Sequence, residues 1–479
     1  MTTTVQMEIY SGEISIFYPY ILCYYKCTQK SSFSSTKYFI RFLKGDGTMK
    51  LKTRVASILM ASALMVGGLA GCGSGGNSGG SSNGNLTMQI WDKSQEDAMQ
   101  ALADKYHEEN PDVTIEIQVT SWDEYWTKLE ASAKSKTMPD IFWMHTNQIL
   151  TYADAGMLAD CSDLYDASKF SDISLSNTQG SDGVSYGIPK DKDSVGLVYN
   201  KEMFDQAGVA YPDENWTWDD IEEASKKIHD ATGKYGYMAY CDDQLGYWNA
   251  VYQAGGYILN DDKTASGFQN EGTIKAMNWY IGLQKNDWCP DQTYFAETAP
   301  GDAFFSGQGA MFLEGSWNLF AEMTNYPDMQ GKWDVAVLPK CPDPVDGDGR
   351  ATISNGLCYS TAAYNQDNET IMNFLQWLGT EEAQKIHASY GAAISAYNGE
   401  DIENEWINAF DQFDYKLNVQ AFIDMMDYSV QSVNDKSRPN WKSQVNDELL
   451  KIYGGQNSID DGLKTIDNII NTAIKEAAE

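Results

Sequence analysis

The stretch that decides the fold is Leu86–Val119, with the sequence LTMQIWDKSQEDAMQALADKYHEENPDVTIEIQV. Apolar and polar residues alternate over 86–90 and again over 113–119, as they do on half-buried strands. Between these runs, apolar residues recur four positions apart from Ala98 to Tyr106, which is the spacing of one helix face. A strand, a helix and a second strand in this order predict a βαβ unit of a parallel sheet.

The same succession of strands and helices continues along the chain. A helix is predicted over 123–134, then a buried strand at DIFWM, then a helix over 147–155. Ser94 is the predicted N-cap of the first helix, and Thr217 with Asp220 three residues later predicts a capping box. The C-terminal part is predicted to be mostly helical, with helices at 366–379, 381–390, 402–410, 416–427 and a final pair over 440–476.

The composition indicates a large globular protein with an acidic surface. The chain has 479 residues, of which 42% are hydrophobic, and this length predicts about two to three domains. Its formal net charge is −34. This charge excludes nucleic acid as a partner, because binding phosphates requires a basic face.

The N-terminal part carries a targeting signal. The apolar run Val55–Leu69 follows three positive charges and leads into LAGC, so Cys72 stands where a bacterial lipobox has its lipidated cysteine. The run is shorter than the roughly 20 residues of a membrane span. We predict a lipoprotein signal peptide over 49–71, and a lipid such as palmitate on Cys72 at the start of a Gly/Ser tether over 72–85. An ordinary signal peptide with a chance cysteine is the alternative. Residues 1–48 are interpreted as an extension from a misplaced start codon, with a genuine N-terminal extension as the alternative.

The sequence contains no motif of catalysis or metal binding. It has four histidines but no His-Glu-x-x-His and no Walker loop, and its Gly-x-Ser-x-Gly at 76–80 lies in the tether. No catalytic residue, metal or cofactor is predicted. The cysteines beyond Cys72 have no disulfide-framework or metal-ligand spacing, so their pairing stays open: Cys161, Cys241, Cys289, Cys341 and Cys358.

Eight stretches occur in the order typical of one protein family: IWDKSQEDAMQALADKYHEENPDVTIEI, PDIFWMHTNQILTYADAGML, YGIPKDKDSVGLVYNKEMF, TWDDIEEASKKI, YQAGGYILNDD, FFSGQGAMFLEGSWNLF, WDVAVLP and FLQWLGTEEAQKI. Together they resemble the extracellular solute-binding protein family 1, the sugar-binding lipoproteins of ABC importers related to maltose-binding protein. The resemblance covers 85–479 and implies an α/β fold of the type II periplasmic-binding-protein kind, in which hinge segments join two lobes around a ligand cleft. The implied N-lobe is 86–194 plus 355–396, and the implied C-lobe is 197–352 plus 400–479.

Tryptophan is the most prominent candidate for ligand contact. All 14 tryptophans lie beyond residue 90. An indole offers a flat face to the C–H surface of a sugar, while neighbouring polar groups satisfy the sugar hydroxyls. Trp317 follows an apolar strand and the turn at Gly315 and Ser316, at the strand end where α/β folds bind ligands. The resemblance places a ligand-stacking aromatic residue at this point.

The resemblance implies further ligand contacts. In the C-lobe, Trp441 is expected to close over the ligand, and Arg438 either binds hydroxyls or forms a surface salt bridge. At 146–147 the chain has Thr and Asn where the family often carries an acid and a base, which argues against a maltose-like pattern. Either Trp122 or Tyr125 is expected at the cleft edge. The remaining expected contacts are Trp91, Asp92, Asn147, Asp193, Asp243, Gln244, Tyr247, Trp248, Gly315 and Ser316.

These observations predict a receptor rather than an enzyme. The expected protein is a monomer that its lipid holds on the extracellular face of the cell membrane of a Gram-positive bacterium. It binds a carbohydrate, in particular an oligosaccharide, by lobe closure and passes it to an ABC permease with a separate ATPase. The alternative is a secreted glycoside hydrolase, which requires two carboxylates at a fixed separation.

Overall fold

The computed structural model describes residues 84–478, together with the short strands Glu13–Ile14 and Tyr25–Lys26, which pair antiparallel. The chain divides into two compact units after Asn77, and the fold below is that of the second unit. Apart from the two short strands, the residues of the predicted extension, the signal peptide and the lipidated Cys72 lie outside those described.

The first sheet contains the βαβ unit predicted from the opening stretch. Strand Asn85–Ile90 pairs in parallel with Thr114–Val119, and helix Glu96–Glu109 connects them. Strand Ile141–His145 adds a third parallel strand, and the remaining strands join antiparallel. The six strands lie in the spatial order Ile394–Ser395, Ile188–Lys192, Gly356–Ser360, Ile141–His145, Asn85–Ile90 and Thr114–Val119.

The second sheet is buried on both faces. Within one strand, Leu197 and Tyr199 belong to one apolar cluster and Val198 to another, because successive side chains point to opposite faces. Its four strands lie in the order Trp333–Ala336, Val195–Asn200, Gly309–Gly315 and Tyr235–Tyr237. A separate parallel pair joins Thr352–Ser354 to Ser429–Gln431.

The chain passes between the first sheet and the strands that follow it or precede it through two short segments. Asp193 and Ser194 form the first crossing, and Asn355 forms the second. The first sheet takes its strands from 85–192 and 356–395, and the second takes its strands from 195–336. Apart from the first residues of two strands, the strands of these two sheets each lie within one predicted lobe, and the boundaries of the lobes themselves stay a prediction.

Helices cover the sheets, and those predicted for the C-terminal part are present with ends shifted by a few residues. No helix in the described part is long and apolar enough to cross a membrane. The five cysteines of this part carry free thiols. The α-helices are Glu96–Glu109, Trp122–Ser135, Thr146–Asp154, Asp172–Ser176, Lys201–Ala207, Trp218–Thr232, Trp248–Gln253, Glu271–Leu283, Gln292–Phe295, Pro300–Phe305, Leu319–Asn325, Glu369–Leu378, Glu381–Ser389, Glu400–Ala409, Gln420–Met426, Arg438–Tyr453 and Ile459–Ala478.

One of the two capping predictions is confirmed and the other is wrong. Thr217 and Asp220 form a capping box at the start of their helix. Ser94 is not the N-cap of the first helix, which begins at Glu96. The Asp92 carboxylate accepts a hydrogen bond from the Ser94 backbone and caps a short 3-10 turn before the helix. An acid two residues upstream therefore takes the capping role.

Candidate ligand-binding cleft

Polar and aromatic side chains follow the strand ends where the two parts of the molecule meet. His145 ends one strand of the first sheet, Asp193 lies in the first crossing, and Trp317 follows strand Gly309–Gly315 of the second sheet. Ligands of open α/β folds bind beyond the carboxyl ends of strands. These side chains outline a candidate ligand-binding cleft.

The carboxylate of Asp193 ties the two crossings to a loop of the second part. Gln244 Nε2 donates to both carboxylate oxygens at 3.1 Å, and the Asn355 backbone N–H donates to Oδ1 at 2.6 Å. The Asn355 side-chain amide also donates to Gln244 Oε1. Burial raises the pKa of Asp193 to about 7, against the opposing effect of these donors. One desolvated carboxylate therefore fixes the relative position of three segments.

Two cations converge on Asp243. Arg438 Nη2 donates to Oδ2 at 2.7 Å, and Lys442 Nζ donates to Oδ1. Burial raises the pKa of this carboxyl, but Lys442 and then Arg438 outweigh it and lower the pKa below its usual range. Both cations also lie over the ring of Trp248, with Arg438 Cζ 5.5 Å and Lys442 Nζ 6.0 Å from the ring centroid. Arg438 Nε is buried and has no hydrogen-bond partner among the described residues, so one donor of the guanidinium is unsatisfied.

His145 lies opposite this charged group. Its Nδ1 accepts a hydrogen bond from the Asn147 backbone N–H at 3.1 Å. Burial, and then the positive charge of Arg438, lower the pKa of His145 to about 3. The imidazole is therefore neutral at physiological pH.

A second polar group also spans the cleft. Asn177 Oδ1 accepts hydrogen bonds from Thr146 Oγ1 at 2.8 Å and from Gln431 Nε2 at 3.2 Å. Thr146 follows the first sheet, whereas Gln431 ends the separate parallel strand of the second part. The Nδ2 of Asn177 and the Oδ1 of Asn147 have no partner within the part of the chain described here. A buried amide without a partner is costly, so these groups are suited to binding a polar ligand.

An aromatic wall forms the first-sheet side of the cleft. Trp91 lies edge-on to Trp122 with centroids 5.1 Å apart, and Trp122 lies edge-on to His145 at 5.6 Å. Trp126 and Trp143 pack behind Trp91. Trp122 remains 41% exposed, which leaves part of its indole open to solvent. We define Trp91, Trp122 and His145 as the aromatic wall.

The turn after strand Gly309–Gly315 presents Trp317, which is half-buried. Its ring lies directly on Gly315, because a Cβ added at Gly315 would come within 2.2 Å of the indole carbons. Glu314 holds this turn, since its Oε1 accepts from the Gly315 backbone N–H at 2.7 Å and from Asn318 Nδ2 at 2.9 Å. Only glycine fits under this indole.

The model of one protein family, the bacterial extracellular solute-binding proteins, matches residues 101–408, which is more than half of the 479 residues. The chain belongs to this family. Among curated relatives, this solute-binding protein is 25% identical over 372 residues to the lactose-binding protein of Rhizobium radiobacter, covering 74% of this chain and 83% of the relative. It is 24% identical to the galactooligosaccharide-binding protein of Bacillus subtilis, covering 70% and 79% respectively.

Solved structures show the same fold. An ABC substrate-binding protein of Listeria monocytogenes in complex with cycloalternan matches with a TM-score of 0.71 at 23% identity, covering 82% of this chain and 99% of the other. The cyclic alpha-maltosyl-1,6-maltose binding protein of Arthrobacter globiformis matches with a TM-score of 0.68 at 25% identity, with the same coverage. The predicted two-lobed α/β fold and the resemblance to solute-binding proteins are confirmed.

The structure corrects several predicted contacts of this solute-binding protein. Trp441 is 0% exposed in the apolar core, so it does not close over a ligand. Trp248 is also 0% exposed and Tyr247 1%, and the Trp248 ring supports two cations instead. Ser316 is 0% exposed beside Trp317. Tyr125 is buried too, with its hydroxyl donating to the Trp143 backbone oxygen at 2.5 Å, whereas Trp122 lies at the edge.

Other predicted residues lie around the cleft, where their contact with ligand stays a prediction. Arg438 forms a partly buried ion pair rather than a surface salt bridge. The Asp92 carboxylate is occupied by Ser94 and Gln95, which leaves it little capacity for a ligand. The remaining partly exposed residues are Trp91, Asn147, Asp193, Asp243, Gln244 and Trp317.

Sequence reasoning missed three amides of the cleft. Asn177 and Gln431 lie in segments with no motif, and their hydrogen bond joins positions 254 residues apart. Asn355 had a usable signal, because it begins the second predicted N-lobe segment, 355–396, and is followed by a glycine. An amide at a crossing can reach both parts of the molecule.

Proposed function

We propose that this solute-binding protein captures a neutral carbohydrate, in particular an oligosaccharide, in the cleft and releases it chemically unchanged. Its curated relatives include proteins named for binding lactose, galactooligosaccharide and maltodextrin. The cleft offers what such a ligand requires, namely indole faces for its C–H surfaces and amides for its hydroxyls.

The observation that carries this proposal is that the charged groups of the cleft bond to groups of the protein, whereas several polar groups there have no partner. Asp243 is paired with Arg438 and Lys442, and Asp193 accepts from the Gln244 amide and from the Asn355 backbone N–H. Among the described residues of the cleft, the groups without a protein partner are Asn147 Oδ1, Asn177 Nδ2, Asn355 Oδ1, Ser316 Oγ and Arg438 Nε. Amides and hydroxyls of this kind form hydrogen bonds with sugar hydroxyls.

The proposed cellular role follows from the family and from the N-terminal sequence. Cys72 carries the lipid, and the Gly/Ser tether that follows gives the binding domain reach above an extracellular membrane surface. The protein acts as a monomer that delivers its ligand to ABC permease subunits driven by a separate ATPase. Mass spectrometry of protein from the native membrane tests the anchor, because a diacylated N-terminal cysteine is expected.

Binding is tested by calorimetry and thermal shift with lactose, galactotriose, maltotriose and diacetylchitobiose. At least one sugar should bind with a saturable 1:1 isotherm and raise the melting temperature, since a ligand that binds only the native state stabilises it. Chromatography of the recovered sugar should show no new reducing ends. Hydrolysis of the sugar, or binding of uronates alone, would contradict the proposal.

A further inference from the structure

A fully buried lysine lies behind the aromatic wall. Lys190, in strand Ile188–Lys192, is 0% exposed. Its Nζ donates to Asp191 Oδ2 at 2.6 Å and to Gln95 Oε1 at 2.9 Å, and it lies 4.3 Å from the centroid of the Trp143 ring. Removing an ammonium from water is costly, and an apolar group in place of a buried ion pair is often equally stable. Stability alone therefore does not account for this charge, and its partners point to a second role.

Trp143 connects the ammonium to the aromatic wall. The Trp143 ring is 0% exposed and lies edge-on to the Trp91 ring, with centroids 5.1 Å apart. A cation over an indole is attracted to the ring face, and the attraction is strongest where water is excluded. Lys190 therefore fixes the plane of Trp143, and Trp143 in turn limits where the Trp91 ring can lie.

Gln95 makes a second connection, to the turn that carries Trp91. Its Oε1 accepts from Lys190, so its Nε2 is directed to Asp92, whose Oδ2 accepts at 3.1 Å. The other oxygen of Asp92 accepts from the Ser94 backbone N–H at 2.8 Å. An ammonium is a donor only, so it orients the Gln95 amide in one sense. One cation thus acts on Trp91 through the ring beside it and through the residue after it.

The counter-ion anchors this network in the sheet. Asp191 Oδ2 accepts from Lys190, and its Oδ1 accepts from the Leu357 backbone N–H at 2.9 Å. Leu357 lies in strand Gly356–Ser360, which is paired on both sides. The base of the network is therefore rigid, and its outer end, at Trp91, lies at the cleft.

We propose that Lys190 is a positioning residue whose buried ammonium holds the Trp91 indole in the geometry that binds a sugar ring. The inference rests on the proposed function for the identity of the ligand, whereas the position of Trp91 can be measured without any ligand. Without the ammonium, the Trp91 ring occupies a wider range of positions. Ligand binding must then order the ring as well, which lowers affinity without removing any group that touches the ligand.

The test removes the charge without leaving a buried ion unpaired. In Lys190→Met/Asp191→Asn the thioether fills the space of the lysine, and the new amide oxygen still accepts from the Leu357 N–H. The full chain is labelled with 5-fluorotryptophan, and the Trp91 resonance is assigned from Trp91→Phe. Its fluorine shift should change, and the difference in that shift between light and heavy water should increase, because the loosened indole gains contact with water. Circular dichroism and the melting temperature check the fold.

The matched control neutralises an ion pair in another part of the molecule. Lys451→Met/Glu448→Gln removes a pair 2.8 Å apart whose carboxylate is buried in helix Arg438–Tyr453. It should leave the Trp91 resonance unchanged. A folded Lys190→Met/Asp191→Asn protein with the wild-type Trp91 resonance overturns the proposal, and so does an equal change in the control.

A second variant keeps the ion pair and removes only one connection. Gln95→Met retains the Lys190 pair but can no longer donate to Asp92, so it should also shift the Trp91 resonance. If Lys190→Met/Asp191→Asn does not fold, an unchanged Trp91 resonance in Gln95→Met overturns the proposal.

Calorimetry with lactose, galactotriose, maltotriose and diacetylchitobiose adds the ligand readout. Affinity should fall by about tenfold in Lys190→Met/Asp191→Asn, which is the size of loss that removal of a supporting partner causes at metal sites. The control should stay within about twofold of the wild type. A displaced Trp91 with unchanged affinity overturns the role of Lys190 in binding. If no sugar binds the wild type while Trp91 responds as expected, the proposed ligand is refuted and the positioning of Trp91 by Lys190 is retained.

Discussion

Replacement of Trp317 by alanine tests the position of the cleft most directly. The side chain follows the strand end of the second sheet, and one part of its ring rests on Gly315. Because the residue is only half-buried, its outer face is available for a sugar ring. We expect Trp317→Ala to lose ligand affinity without unfolding the protein.

The magnitude follows from the area of the indole. A tryptophan side chain buries about 150–250 Å², and the exposed part of Trp317 leaves about 60 Å² for a ligand. At about 25 cal/mol per Å², covering that area contributes about 1.5 kcal/mol, which corresponds to about 12-fold in the dissociation constant. The contacts that Trp317 makes within the protein contribute a similar free energy, which is only a fraction of the free energy of unfolding of a typical domain, so the variant should stay folded.

The assay is isothermal calorimetry with whichever of lactose, galactotriose, maltotriose or diacetylchitobiose binds the wild type. Circular dichroism and the melting temperature check the fold of each variant. Trp377→Ala is the matched control, because Trp377 is also half-buried but packs against Phe374 and Tyr106 behind the first sheet. A folded Trp317→Ala protein with less than about fivefold loss, or a Trp377→Ala protein with equal loss, would refute the location of the site.

Three further predictions concern the charges and the core. Asp243→Asn should lower stability by about 3 kcal/mol in urea denaturation, because it leaves Arg438 and Lys442 unpaired beside each other; an unchanged midpoint would contradict this. Because the pKa of Asp193 is raised to about 7, the folded state keeps a proton that the unfolded state releases near pH 4. The contribution of this group to the free energy of unfolding therefore falls as pH rises from about 4 to about 7, and then levels off. Asp193→Asn should remove that decline in a pH series of denaturation curves, and an identical pH profile would refute it. Trp441→Ala should lower the free energy of unfolding by about 3–5 kcal/mol. Trp441→Phe should leave sugar affinity unchanged in calorimetry, and a selective loss of affinity in this variant would mean that Trp441 contacts the ligand.

Much of the fold follows from periodicity in the sequence. Alternation over 86–90 and 113–119 is retained as two paired strands, because one face of each strand packs on helix Glu96–Glu109 or its neighbours. The start of that helix was less predictable. Ser94 and Asp92 are both good capping residues, and the choice between them depends on the turn that precedes Glu96.

The cleft is harder to predict because its contacts join distant segments. The hydrogen bond between Asn177 and Gln431 joins the two parts of the molecule, and the ion pair of Arg438 and Asp243 joins segments 195 residues apart within the second part. No local pattern identifies such partners. The end of a strand can be predicted once the strand itself is predicted, and residues just beyond it are candidates for ligand contact. Trp317 was selected in this way.

Trp317 and Trp441 show how resemblance to a family and helical periodicity should be weighed against each other. The resemblance assigned both to the ligand, but the sequence around Trp441 already indicated a core position. Val445, Leu449 and Ile452 continue from Trp441 at spacings of four, four and three residues, which is one apolar face of a helix, and all four are buried. Trp317 has no such companions, because it follows a glycine and a serine in a turn. Helical periodicity therefore outranks positional analogy when the two disagree, and an aromatic residue outside any period is the better candidate for a ligand platform.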